Sequence, residues 1–117
     1  MKIRLSVFLF FALACTPELA FSAAAAAAEP MEIHIKIKQH RFEPEKIEVP
    51  AGQRLKLIVT NADATPEEFE SKVLRIERVI LGGQSATFNV RPLNKGQTYK
   101  FFGEFHEDTA QGELTAK

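Results

Sequence analysis

The sequence predicts an all-β sandwich or barrel of seven or eight short strands, and three observations predict it. Residues 31–38 alternate strictly, with Ile33, Ile35 and Ile37 on one face and Glu32, His34, Lys36 and Lys38 on the other, the two-residue period of a half-buried strand. Turn-forming clusters recur at short intervals: Pro50-Ala51-Gly52, Asn61 to Pro66, Gly82-Gly83 and Pro92 to Gly96. No stretch after the first 28 residues carries a sustained 3.6-residue apolar period with helix caps.

The remaining elements follow in order. Glu45–Val49 alternates through Ile47 and Val49 until Pro50-Ala51-Gly52 turns the chain. Leu55, Leu57 and Val59 make a third inward row, and Asn61 to Pro66 is a loop by composition. Val73–Ile80 reads as a strand stopped by Gly82-Gly83, although Glu67–Arg78 has room for one helical turn. Thr87–Val90, the aromatic-rich Thr98–Phe102 and a closing Gly112–Thr115 complete the set. Antiparallel pairing is the expectation for strands spaced this closely.

The chain has 117 residues with 15 basic and 15 acidic side chains, which is one domain's length and a formal net charge of zero. Neutrality argues against nucleic acid as a partner, because few phosphate counterions would be released. Lys2 and Arg4 precede an apolar run, Leu5 to Ala14, of ten residues. As a helix that run spans about 15 Å, half a hydrocarbon core, so it fits a secretory signal better than a membrane anchor. Residues 1–28 are therefore expected to be a signal peptide with an Ala-rich cleavage region, cut between Ser22 and Ala28, and residues 29–117 the working domain. The expected location is the periplasm. Cys15 offers a lesser alternative, a lipid anchor on a loose lipobox. Removing Lys2, Arg4, Glu18 and Cys15 with the leader leaves 89 residues with 13 basic and 14 acidic side chains and no Cys. Thiol–disulfide exchange and cysteine nucleophiles are thereby excluded.

Three His residues and a group of Glu carry the remaining chemistry. His34 lies on the polar face of its strand and is expected to be solvated. His40 follows that strand in Gln39-His40-Arg41-Phe42-Glu43-Pro44, where Phe42 reads as a core anchor and His40 as a loop residue available for function. His106 is the strongest candidate. Alternation places Phe101, Gly103 and Phe105 on one side and Phe102, Glu104 and His106 on the other, with Gly103 a natural bulge where that phase can break. If the phase holds, Glu104 and His106 reach one ion, and imidazole with carboxylate suits zinc, copper(II) or iron better than magnesium. Glu67-Glu68-Phe69-Glu70 reads on composition as a solvated acidic turn; a buried arrangement would need a cation or protonation, which Arg75 and Arg78 could relieve. Glu77 is expected to pair with such an Arg across the strand, and Glu107 and Asp108 to face solvent. No Gly-x-Ser-x-Gly elbow, phosphate-binding glycine loop or His-Glu-x-x-His motif is present, so no catalytic residue is assigned.

Phe42-Glu43-Pro44, Ile47-Glu48-Val49-Pro50-Ala51-Gly52, Val59-Thr60-Asn61 and Tyr99-x-Phe101 together resemble the cupredoxin superfamily over about residues 31–116. Thr65 to Ser71 with Phe102-Gly103-Glu104-Phe105-His106 narrows the resemblance to cupredoxin-like domains of bacterial periplasmic iron-uptake systems, the Efe-type iron-binding N-terminal domain and its stand-alone relatives. This implies a cupredoxin-like Greek-key sandwich. It also implies departures from a blue-copper centre: Glu67 or Glu68 in place of the first His, Gly103 in place of the Cys, and Ala110 in place of the Met, with His106 retained. Without a thiolate, blue-copper electron transfer is not expected.

The resemblance implies a metal-binding protein of iron acquisition, holding an iron or copper ion through Glu67 or Glu68 with Glu104 and His106, joined by His40. Two rival readings stay open: a metal-free module docking an inner-membrane iron permease or another periplasmic uptake subunit, and an oxidase acting on ferrous iron. A site completed by pairing two copies in a homodimer also stays open, since one chain offers few ligands.

Overall fold

The computed structural model describes residues 29–117; the expected leader and Cys15 lie outside the described residues. Nine strands form two sheets: β1 (Met31–Lys38), β2 (Arg41–Glu43), β3 (Lys46–Val49), β4 (Leu55–Asn61), β5 (Glu67–Ser71), β6 (Ile76–Ile80), β7 (Ser85–Val90), β8 (Thr98–Phe102) and β9 (Gln111–Ala116). The first sheet runs β2-β1-β4-β7 and the second β3-β9-β8-β5-β6. A single turn of 3-10 helix, Glu104–His106, joins β8 to β9. No described helix is long and apolar enough to cross a membrane.

The alternating rows face the core as their period requires. Ile33, Ile35 and Ile37 of β1 lie beside Leu57, Val59 and Asn61 of β4, and every one of these side chains is buried. Pairing was less legible than burial. β1 runs parallel to β4, and β3 parallel to β9, so neither sheet is purely antiparallel. Alternation fixes which face a residue takes and carries no information on a strand's direction or neighbour.

The acidic stretch departs most from expectation. Residues 67–71 form β5 instead of a solvated turn, and Glu67 and Glu68 are buried. A turn at residues 72–75, closed by Arg75 N–H donating to the Lys72 carbonyl at 3.2 Å, then leads into a strand that starts at Ile76 and not at Val73. The strands beyond the expected ones are β2, only three residues long, and β5, whose acidic composition had read as a turn.

Between the sheets, Phe42 and Phe101 meet edge to face with ring centres 5.0 Å apart, and Phe69 lies 5.1 Å from Phe101 and 5.3 Å from Phe88. Gly112 keeps this cluster closed, since a Cβ there would sit 2.2 Å from the Phe101 ring. The Tyr99 hydroxyl accepts from Asn94 N–H at 3.0 Å and pins the turn before β8. Phe69 shares the inward face of β5 with Glu67, two residues before it.

Candidate metal centre

His40 is held by its backbone before its ring is considered. Gln39 and His40 both adopt left-handed conformations, φ 51° and 58°, which cost a non-glycine residue about 1–2 kcal/mol each. The Asp63 carboxylate offsets that cost by accepting from Gln39 N–H at 2.7 Å and His40 N–H at 3.0 Å. Asp63 is itself placed by Asn61, whose Oδ1 accepts from Asp63 N–H at 2.9 Å while its amide donates to the Thr65 and Ile80 carbonyls at 2.8 and 2.9 Å. Burial pushes the Asp63 carboxyl up, but the His40 and Gln39 N–H groups and the charges of His40 and His106 outweigh it and hold the carboxyl below its usual range. On the other side Thr109 Oγ1 donates to the His40 carbonyl at 2.6 Å.

Glu67 enters from β5. Successive strand residues point to opposite faces, so Glu67, Phe69 and Ser71 share the inward face and Glu68 and Glu70 take the outward one. The Glu67 side chain is 1 % exposed, and its carboxylate is spanned by two imidazoles: Oε1 lies 2.5 Å from His40 Nδ1 and Oε2 3.0 Å from His106 Nδ1. With the proton on Nδ1 of each ring, both rings donate to the same carboxylate. A buried carboxylate without such partners would cost several kcal/mol.

His106 comes from the 3-10 turn and stacks on His40 with ring centres 3.6 Å apart and planes 17° from parallel. The loop carrying it is closed by Gly103 N–H donating to the Ala110 carbonyl at 3.0 Å and Ala110 N–H to the His106 carbonyl at 2.7 Å. His40, Glu67 and His106, from three separate segments, thus bring one ligand atom each within 4.8 Å of one another.

The 3-10 turn also corrects the expected phase. β8 ends at Phe102, and a 3-10 residue advances about 120°, so Glu104 and His106 diverge where a continued strand would have put them on one side. Phe105, which a continued alternation would have put on the side of Phe101, is 48 % exposed for the same reason. Glu104 instead joins Glu68, Glu70 and Glu77, whose carboxylates lie within 4.8 Å of one another on the outward face. Of the five predicted ligands, then, His40, Glu67 and His106 meet, whereas Glu68 and Glu104 belong to a different cluster. Glu77 faces Glu70 across the β5–β6 pair and not an Arg, and Arg78 lies over the Phe88 ring at 5.5 Å. Burial first, then hydrogen bonding to Glu70 and the charges of Glu104, Glu70 and Glu77, push the Glu68 carboxyl up to about 7. His34 is solvated as expected, 68 % exposed.

The residues present do not fit a blue-copper centre. No cysteine lies among the described residues, and a Cβ on Gly103 would sit 2.8 Å from the Glu68 carbonyl oxygen and 3.1 Å from Ala110 Cβ. They do fit an ion bound by imidazole and carboxylate. A first-row ion with bonds of about 2.0–2.2 Å keeps its ligand atoms roughly 3–4 Å apart; the three lie within 4.8 Å of one another here, and the Nδ1–carboxylate spacings of 2.5 and 3.0 Å would widen to admit it. Sequence reasoning missed Asp63 and Thr109, which position His40 without being ligands. The only signal of either was Asp63's place in a turn-forming loop.

A profile of the cupredoxin-like domain matches residues 5–116. An uncharacterised protein of Rickettsia prowazekii (strain Madrid E) is 45 % identical over 82 residues, which is 70 % of this chain; the chain spans 65 % of that relative's length. Among solved structures, auracyanin A, a "blue" copper protein from Chloroflexus aurantiacus, superposes with a TM-score of 0.65 at 15 % identity, covering 76 % of this chain and all of its own. The metal-binding domain of a Cu(I)-exporting P-type ATPase of Streptococcus pneumoniae superposes with a TM-score of 0.64 at 16 % identity, covering 74 % of this chain and 84 % of its own. At such identities these two share the fold. With its two-sheet sandwich and the profile match along nearly all its length, the chain belongs to the family of cupredoxin-like domains.

Proposed function

We propose that this chain is an exported metal-binding cupredoxin-like protein that holds one iron or copper ion through His40, Glu67 and His106 in the service of iron acquisition. One observation carries the reading: a carboxylate only 1 % exposed is shared by two stacked imidazoles drawn from distant segments. Two imidazoles with Nδ1 atoms turned to one buried carboxylate supply the donors that an imidazole–carboxylate metal site uses. An ion would take the Nδ1 lone pairs once the ring protons sit on Nε2, and the Glu67 charge compensates the cation in a water-poor setting. A bound copper or iron supplies one-electron or Lewis-acid chemistry, without the thiolate that characterises blue copper.

The residues around the three ligands orient them. Asp63 and Thr109 fix the His40 backbone, and the two imidazoles hold the Glu67 carboxylate. Periplasmic location is supported by the basic start and short apolar run of the leader, and the iron-uptake role by the Thr65–Ser71 and Phe102–His106 stretches. Phe105, exposed on the turn that carries His106, supports delivery to a partner such as an inner-membrane permease at this rim.

The test is titration of metal-free residues 29–117 with Cu(II) and, anaerobically, Fe(II), followed by calorimetry and electron paramagnetic resonance. One equivalent should bind, with imidazole nitrogen couplings and no intense visible charge-transfer band. His106→Ala with Glu67→Gln should abolish it. Unchanged stoichiometry in that folded double variant would overturn the assignment.

A further inference from the structure

A second cluster stands on the other face of β5. Glu68 and Glu70 point outward from β5, Glu77 reaches the same face from β6, and Glu104 comes from the 3-10 turn. Like charges placed directly opposite across an antiparallel pair destabilise it, yet Glu70 faces Glu77 in register. Among the described residues none of these four carboxylates makes an ion pair with a Lys or Arg, and Arg78, one of the two cations the sequence suggested, lies on the other face of β6 over Phe88.

Glu68 gives the cluster a direction. Its side chain is 3 % exposed, and its Oε1 is buried with no hydrogen-bond partner while belonging to the four-carboxylate group. Leaving an ionisable oxygen dry and unpaired is among the costlier arrangements in a protein, and native structures keep few of them. A cation among the four carboxylates would satisfy that oxygen and remove the Glu70–Glu77 repulsion together.

We propose that Glu68, Glu70, Glu77 and Glu104 form a second cation site, separate from His40, Glu67 and His106, for a hard ion that takes an all-oxygen shell. The spacing agrees. Oxygens bound at about 2.3–2.6 Å can lie up to about 5 Å apart across an ion, and one oxygen of each carboxylate falls within 4.8 Å of the others. The donor set contains no nitrogen or sulfur, so Mn(II) and Ca(II) suit it better than copper or zinc. Because Glu67 and Glu68 are consecutive, the two sites lie back to back across one strand, softer ligands inward and harder ones outward.

Mn(II) is the probe. Titration of metal-free residues 29–117, read by the loss of the free-ion paramagnetic resonance signal, should show one equivalent. Glu68→Gln with Glu104→Gln should weaken Mn(II) at least tenfold, and the single change of the exposed Glu77→Gln should weaken it several-fold with little risk to folding. His106→Ala should leave Mn(II) binding within twofold while removing the copper site. Mn(II) affinity unchanged in both carboxylate variants would overturn the proposal, as would an equal loss in His106→Ala. Failure of Cu(II) binding in the wild type bears on the inner site alone.

Discussion

Glu68→Gln should make the metal-free protein more stable above neutral pH, and the size of the gain follows from the carboxyl's surroundings. In the folded chain that carboxyl is pushed from its ordinary 4.5 up to about 7, by burial first and by Glu70, Glu104 and Glu77 after it. Between those two values the folded state keeps a proton that the unfolded chain has lost. Unfolding free energy therefore falls as pH rises through that window and levels off above it. With each pKa unit equal to about 1.4 kcal/mol, the loss is about 3 kcal/mol by pH 8, as an upper bound. A Gln cannot ionise, so its variant should match the wild type near pH 4.5 and exceed it by up to about 3 kcal/mol at pH 8. Urea unfolding of both proteins in chelator, from pH 4.5 to 8, reads the difference directly. A wild-type-minus-variant difference that stays flat over this range would refute the reasoning, because Glu68 would then be no more costly to ionise folded than unfolded. Mn(II) should narrow the gap at pH 8 by binding the wild type more tightly than the variant.

Other expectations address the inner site and its supports. Asp63→Ala should cost about 3 kcal/mol in chemical denaturation and weaken copper binding, since two charged hydrogen bonds to left-handed residues disappear and His40 loosens. Thr109→Val should cost about 1 kcal/mol and lower copper affinity more than stability, as the His40 carbonyl loses its hydroxyl donor. Gly103→Cys should lower the melting temperature and yield no blue absorption on adding copper, because its Cβ would press on the Glu68 carbonyl and on Ala110. Leu57→Ala, at a fully buried position between the sheets, should cost about 2–5 kcal/mol without changing metal stoichiometry in the folded fraction.

The inward rows of β1 and β4 were legible because their apolar residues recur every second position, and Phe42 was legible as an anchor for the same reason. His106 and His40 stood out as loop imidazoles in a chain with few other chemical groups. The acidic stretch was misread because composition counts charges without seeing what surrounds them. Three Glu in four residues describe an exposed turn equally well, and only the neighbours of β5 make Glu67 a shared partner of two rings and Glu68 a buried, protonatable group. Glu104 was misassigned by extending a two-residue period past Phe102 into a turn whose period is three.

By itself the sequence determined an all-β domain with apolar rows facing inward, no thiol in residues 29–117, and an imidazole–carboxylate chemistry. These are properties of residue type and local period, and they survive without knowledge of distant contacts. Tertiary structure decided which glutamate meets which histidine. His40, Glu67 and His106 are separated by 26 and 38 intervening residues, and they converge only because the sandwich brings the β1–β2 turn, the start of β5 and the β8–β9 connection to one end. The alternation of a single strand then sends Glu67 inward and Glu68 outward, which divides one acidic tract between two sites.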